Sequence, residues 1–476
     1  MLSRRQILAA SLLAATPALA RATPQSSARR HDFDIIVIGA GLSGLTAALA
    51  AQDQGARTLV LEARPRIGGR MFTLDHLPGR PEAGANTFSD GYGAALSAAA
   101  TADVQMDDIT PMLRRSPPMS LIINGQPISR EAWPTHPDNP LPQAFRKFFP
   151  AEAGVMAMQG HPMVQTPERW TDPEAPTNSS VADWLASQGF SQDAIRLAWD
   201  TSPAYGNSAA SASAHHIAFI QGWLNRQREM GSAQYAVHGG NQRLPEGLAK
   251  KLAEPVRLNT HVRTVRQTAS GVSLTTSTGQ TLTADRVIVS APLPALRNIS
   301  FDPPLSPQKQ DAISSLTYQA LSIIFLQART PFWLEDGQSP NMWTNSNAGW
   351  VLASPFGEDP AQPINGLAVH ARGALATRWK AMGAQNAQAS TIAAIEGLRP
   401  AAKGQLTAVH YQAWADDPLA GGAWAIHAPG QPQRLGPHLA LAENRLFFAG
   451  EHTSADQRGL EAAASSGVMA ALAAVG

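Results

Sequence analysis

The chain of 476 residues contains no cysteine. Disulfides therefore play no part in holding it together, and the absence is consistent with an oxidising compartment without demanding one. Charge is also scarce, at 15% of residues against about 25% in typical soluble domains. The formal net charge is only +1. Such a balance leaves no basic footprint for nucleic acid or for an anionic membrane surface. No H-E-x-x-H or other metal spacing occurs, so no metal is expected, and His215, His216 and His452 read as packing or capping residues. No internal repeat is found. The length suits two domains, and the 38 glycines and 36 prolines suit a loop-rich α/β fold.

The first thirty residues read as a removable leader. Ser3-Arg-Arg-Gln-Ile-Leu8 is a twin-arginine pattern, followed by an apolar stretch to about Ala15 and an A-x-A site at Ala18-Leu-Ala20. That apolar stretch is too short to cross a bilayer, and no second anchor follows. Residues 1–30 are thus expected to be signal peptide and linker. The twin-arginine export machinery becomes an expected partner, and the location is periplasmic or secreted.

The most informative stretch begins at Phe33. Ile35 to Ile38 form a short apolar run, read as a buried parallel strand. Gly39, Gly41 and Gly44 follow in G-x-G-x-x-G spacing, with Ser43 in the same loop, and a helix is predicted from about Gly44 to Gln54. Gly39 makes the tight turn, Gly41 admits a pyrophosphate to the backbone, and Gly44 lets the helix lie close to the strand. The helix N-terminus offers unpaired N–H groups to the phosphates. A second strand, Thr58 to Leu61, leads to Glu62, followed by Ala63 and Arg64. Glu62 lies 62 − 44 = 18 residues beyond the last glycine, where a carboxylate binds adenosine ribose hydroxyls. The segment therefore reads as a dinucleotide site, and Ser43 belongs to it rather than to a Ser-His-Asp set.

Beyond Glu62 the chain resembles the flavin amine oxidase family of monoamine, polyamine and L-amino-acid oxidases. The resemblance rests on Arg66-Ile-Gly-Gly-Arg70-Met-Phe-Thr73, Val237 to Ala249, Ala284 to Leu293, Pro331-Phe-Trp333, Leu446-Phe-Phe-Ala-Gly-Glu-His452 and Glu461 to Gly467. It implies FAD as cofactor, a small-molecule amine as substrate, and oxygen or a periplasmic acceptor to reoxidise the flavin. Export of a folded protein fits a cofactor inserted where FAD is made. The fold implied is α/β, a Rossmann-like FAD-binding domain interleaved with an α+β substrate-binding domain. Segments 32–90, 236–304 and 430–476 would build the first domain, and 91–235 and 305–429 the second. The first insertion reads as mostly helical, with Trp133 to Pro142 as an irregular surface loop. The second contains β runs at Ala320 to Ala328 and Gly366 to Ala371.

The resemblance also assigns residues. Gly69 and Arg70 would lie against pyrophosphate and flavin, and Gly84 and Ala85 would pass along the ring. Val262 would meet the adenine, and Gly450 and Glu451 the flavin side. Ala462 and Ala463 would stand at the start of the last helix, whose dipole favours reduced flavin. Trp414 and Trp424 would wall the substrate, Trp424 as one face of an aromatic cage.

Four departures are visible. Ala423 stands where some members attach the flavin through cysteine, so FAD is expected to be non-covalent. Gly459 stands at the second cage aromatic, leaving space for a bulkier substrate or a side chain from elsewhere. Ile323 stands where the family usually carries a lysine linked to oxygen reactivity, which leaves oxidase and dehydrogenase both open. Glu82-Ala-Gly-Ala-Asn-Thr-Phe88 lacks the arginine with which L-amino-acid oxidases clamp a carboxylate, so amines are expected rather than amino acids. Two alternatives remain at this point: desaturase- or protoporphyrinogen-oxidase-like dehydrogenation, and a non-catalytic flavin-binding export factor.

Overall fold

The structure, a computed structural model, describes residues 31–175, 179–354 and 364–476. The expected leader at 1–30 lies outside the described residues. Phe33–Ile38 is rich in β-branched residues and buried on both faces, as a central parallel strand must be. It pairs in parallel with Thr58–Leu61 on one side and Thr281–Val289 on the other. Leu446–Phe448 joins the far end of Thr281–Val289, also in parallel. An antiparallel ribbon, Val262–Thr268 with Gly271–Thr276, continues from its near end, and Ser300–Asp302 closes the edge. Every strand of this seven-stranded sheet comes from residues 33–61, 262–302 or 446–448.

The helix after the first strand spans Leu42–Asp53, two residues earlier than expected, because Gly41 is its extended N-cap at φ −78° and ψ 177°. It packs along the last helix, Gly459–Val475, at close range. A Cβ on Gly467 would fall 2.2 Å from the Ser43 carbonyl oxygen, so only glycine permits this approach.

A second seven-stranded sheet runs Leu406–Ala413, Leu321–Ala328, Gly366–Arg372, Trp350–Ser354, Met342–Thr344, Ser120–Ile123 and Gln126–Ile128. Helices Pro150–Gln159, Val181–Ser187 and Ala214–Met230 belong to the adjoining helical layer. The expected surface loop at Trp133 to Pro142 is corrected: Trp133 is fully buried, and its indole N–H donates to the Phe148 carbonyl at 2.7 Å. Proline spacing signals irregular backbone, which is present, but says nothing about burial. His215 and His216 are buried, and His216 stacks on Trp170 at 4.8 Å between ring centroids. Among the described residues, no helix is long and apolar enough to cross a membrane.

Candidate active site

The first strand ends in a turn that only glycine can make. Gly39 has φ +110°, and its N–H donates to the Leu61 carbonyl at 2.8 Å. A Cβ on Gly44 would lie 2.0 Å from the Gly39 carbonyl oxygen, so Gly44 sets the helix hard against the turn. Gly41 differs, since a Cβ there would meet nothing within 4 Å. A second glycine turn completes the cradle. The Gly68 N–H donates to the Ala40 carbonyl at 2.9 Å, and a Cβ on Gly69 would come 3.4 Å from the Gly41 Cα. Beside them Ser43 Oγ is buried with no hydrogen-bond partner. Bare backbone and an orphaned hydroxyl at a helix N-terminus are what a pyrophosphate needs, so the residues present fit a dinucleotide. Glu62 is held by its own neighbours, accepting from the Ala40 N–H and the Arg64 N–H, both at 2.8 Å.

These groups open into one large cavity of about 1100 Å³. Gly39, Gly41, Ser43, Glu62, Ala63, Arg64, Gly69, Arg70, Gly84, Ala85, Val262, Trp414, Trp424, Gly450, Glu451 and Ala463 all line it. Gly44 and Ala462 do not. Gly44 acts through packing. Ala462 is fully buried, because adjacent residues on a helix point about 100° apart and Ala463 is the one facing the cavity. The last helix also begins earlier than expected, at Gly459. Its Glu461 accepts from Ala94 N–H at 2.9 Å and Ala95 N–H at 3.0 Å, capping a neighbouring helix.

At the far end of the cradle, one arginine nitrogen ties three segments together. Arg70 Nη1 donates to the Ala423 carbonyl at 2.7 Å and to Glu451 Oε1 at 2.9 Å. Burial opposes charge on both partners, but each restores the other's: Arg70 is held above the ordinary guanidinium range and Glu451 below the ordinary carboxylate range. Arg64 is likewise paired, to Asp417 at 2.6 Å. Gly84 presses on the Arg70 backbone, where a Cβ would fall 1.9 Å from the Arg70 carbonyl oxygen. Trp414 is buried with its indole N–H donating to the Ala83 carbonyl at 2.7 Å.

Trp424 lies in a different environment. Its indole N–H is sealed from solvent without a partner, and Tyr205 sits 6.0 Å away between ring centroids. The space at Gly459 is open, since a Cβ there would meet nothing within 4 Å. Tyr205, the aromatic facing Trp424, is carried on a loop pinned by Asn207, which accepts from Ala320 N–H at 2.7 Å and donates to the Tyr318 carbonyl at 3.0 Å. Leu321, Ile323 and Phe325 alternate along one lining strand, and Ala368, His370 and Arg372 along its neighbour. Burial, with Arg372 beside it, pushes the His370 pKa down to about 3, so this imidazole is neutral at any working pH. Tyr205, His370, Arg372 and Arg458 were missed by sequence reasoning. Only Arg372 left a signal, as a cation ending a strand that is apolar but for His370.

The sequence pattern of flavin-containing amine oxidoreductases matches residues 42–475. The chain belongs to that family. This oxidoreductase is 24% identical to an L-amino-acid oxidase of Siganus canaliculatus, over 92% of its own length and 84% of the relative's. It is 26% identical to a nicotine dehydrogenase of Pseudomonas putida, over 89% of its length and 84% of the relative's. Among solved structures, cyclohexylamine oxidase from Brevibacterium oxydans IH-35A shares its fold, with a TM-score of 0.75 at 22% identity, over 93% of this chain and 98% of that one. The cofactor of the family is FAD, and the reaction is oxidation of an amine. The chemistry that bound FAD would supply is acceptance of a hydride from the carbon next to the amine nitrogen. Of the three readings open from the sequence, amine oxidation is the one that family and relatives share.

Proposed function

We propose that the chain is an exported, non-covalent flavoprotein that oxidises a small amine in the chamber walled by Trp424 and Tyr205. The observation that carries this is the composition of the chamber. Among the described residues its walls are mostly aromatic and aliphatic, with Arg372 and Arg458 beside them, and the imidazole of its substrate half, His370, is neutral. Hydride transfer from a neutral amine needs a dry, oriented site rather than an acid–base pair, and such a site lowers the substrate ammonium pKa. Segments 32–90, 236–304 and 430–476 hold the cofactor in this reading, and 91–235 and 305–429 build the chamber. Ala423 supports dissociable FAD. Buried Ile323, in place of the family lysine, supports a dehydrogenase that passes electrons to a periplasmic acceptor in preference to oxygen. The twin-arginine pattern at Ser3 to Leu8 supports export.

Anaerobic flavin bleaching tests the reading. The holoenzyme is mixed with primary, secondary and cyclic amines, and air is then admitted. Bleaching by one class, with slow recovery in air, is the expected result. Rapid recovery would make the enzyme an oxidase. No bleaching by any amine, with FAD bound, would overturn the proposal.

A further inference from the structure

The arginines around the cavity fall into two groups. In the cofactor half Arg64 pairs with Asp417, Arg70 pairs with Glu451 and Arg66 donates to the Gly69 carbonyl at 2.8 Å, while Arg263 lines the cavity from an exposed position in water. The two in the substrate half, Arg372 and Arg458, form no ion pair and no side-chain hydrogen bond among the described residues. Arg372 Nε is sealed from solvent with no acceptor, and its guanidinium lies 4.8 Å over the Trp350 ring. The Arg458 guanidinium lies 4.5 Å over the Tyr205 ring and 5.7 Å over the Trp424 ring. Tyr205 is also a charge neighbour of Arg372, so it links the two cations. His370 Nδ1 and Trp424 Nε1, from two more lining residues, are sealed without partners.

A guanidinium taken out of water without a counter-ion is costly, as at Arg372, and half-buried Arg458 adds a second positive charge to the same chamber. An anion entering the chamber would supply the missing acceptors, and the planar fork of arginine matches a carboxylate. We propose that the substrate is an amine bearing a carboxylate, with Arg372 and Arg458 as its docking groups. The proposal rests on the amine-oxidation reading and names its substrate class. The proposal departs from the expectation of plain amines, drawn from the missing arginine after Gly84, in taking the cations from a strand end in the second sheet and from the N-cap of the last helix. A diamine would meet like charge and is excluded on the same ground.

The test has two arms on the holoenzyme. Calorimetric titration compares benzoate with its neutral isostere benzamide, in wild type and in Arg372→Met and Arg458→Met. Benzoate is expected to bind at least about tenfold more tightly, and each substitution to cut that preference by about ten- to a hundredfold, the range for a charged hydrogen bond. Unchanged preference in both variants, or none in wild type, would overturn the proposal. Melting curves and the bound-flavin spectrum check folding, and Arg458→Met serves alone if Arg372→Met does not fold. The second arm compares anaerobic bleaching by L-phenylalanine and phenethylamine, by L-leucine and 3-methylbutylamine, and by 4-aminobutyrate and butylamine. Bleaching by acid members at lower concentration supports the proposal. Bleaching by the plain amines alone overturns it and leaves amine oxidation standing. If nothing bleaches, amine oxidation fails for that panel, and the benzoate titration alone decides the carboxylate site.

Discussion

Two glycines of one motif should fail in different ways. Gly41 has φ −78° and ψ 177°, a conformation open to alanine, and its Cβ would meet no protein atom within 4 Å. Gly41→Ala should therefore leave the apoprotein within about 0.5 kcal/mol of wild type. The same methyl would occupy the ground where the backbone meets the pyrophosphate. Losing one charge-assisted hydrogen bond there costs about 1.5–3 kcal/mol, so FAD affinity should fall about ten- to a hundredfold. Gly44→Ala reverses the pattern. Its Cβ would lie 2.0 Å from the Gly39 carbonyl oxygen and 2.5 Å from Ser290 Oγ. Gly39 cannot yield, because at φ +110° it is already committed to the turn. Overpacking costs about 1–3 kcal/mol, and the helix-propensity gain of about 1 kcal/mol offsets only part of it. Gly44→Ala should thus lower the apoprotein melting temperature and weaken FAD as a consequence. Melts of the apoproteins and FAD titrations followed by flavin fluorescence separate the cases. Wild-type FAD affinity in Gly41→Ala would refute the cradle, and an unchanged apo melt in Gly44→Ala would refute the packing argument.

Glu82 should make stability depend on pH. Burial pushes its pKa from 4.5 to about 7, against hydrogen bonds from Asn241 N–H at 2.6 Å and Thr73 Oγ at 2.9 Å. A carboxyl raised in the fold stabilises below its unfolded pKa, and that contribution fades as pH rises through about 7. Glu82→Gln should therefore gain stability relative to wild type between pH 5 and pH 8; parallel melting profiles over that range would contradict this. The Arg64–Asp417 pair ties the second residue after Glu62 to the loop carrying Trp414 and Trp424, with both side chains 15% exposed. Asp417→Ala should cost about 2 kcal/mol by stranding Arg64, and should raise KM as the loop loosens. A normal melt together with a normal KM would show the pair to be ornamental.

The cofactor half was legible because its constraints are local. Gly39, Gly41 and Gly44 answer to turn geometry and helix approach, and Glu62 follows from one β-α-β unit, so spacing alone places them. The chamber was not legible for the opposite reason. Trp424 was placed only by the family resemblance; Tyr205, Arg372 and Arg458 come from three other segments, and their meeting with it depends on how the second sheet packs against the last helix. Nothing in their local sequence encodes that. Trp133 makes the same point for the core: proline spacing described the backbone around it, while its burial depends on Phe148 and the helical layer. Ala462 shows the limit at finer scale, since one residue of register on a helix decides which alanine faces the cavity.

The chamber's charge also bears on how the amine loses its proton where no base is provided. An amine reaches the enzyme as an ammonium and must be neutral to release hydride. In the substrate half His370 is uncharged, and Tyr92 and Tyr205 are phenols; of the lining carboxylates, Glu451 is paired with Arg70, and Glu82 has Oε1 held by Asn241 and Thr73 and Oε2 sealed from solvent. Two guanidiniums supply an alternative. With one substrate carboxylate docked, Arg372 and Arg458 still leave one positive charge in excess, and a nearby like charge lowers an ammonium pKa. The apparent amine pKa in the rate of flavin reduction should then lie below its solution value. Arg458→Met should move it back up as the excess charge is removed, independently of any loss of affinity. A reduction-rate profile whose amine pKa equals the solution value in wild type, and is unmoved in Arg458→Met, would mean that the cations only bind and do not prepare the amine for reaction.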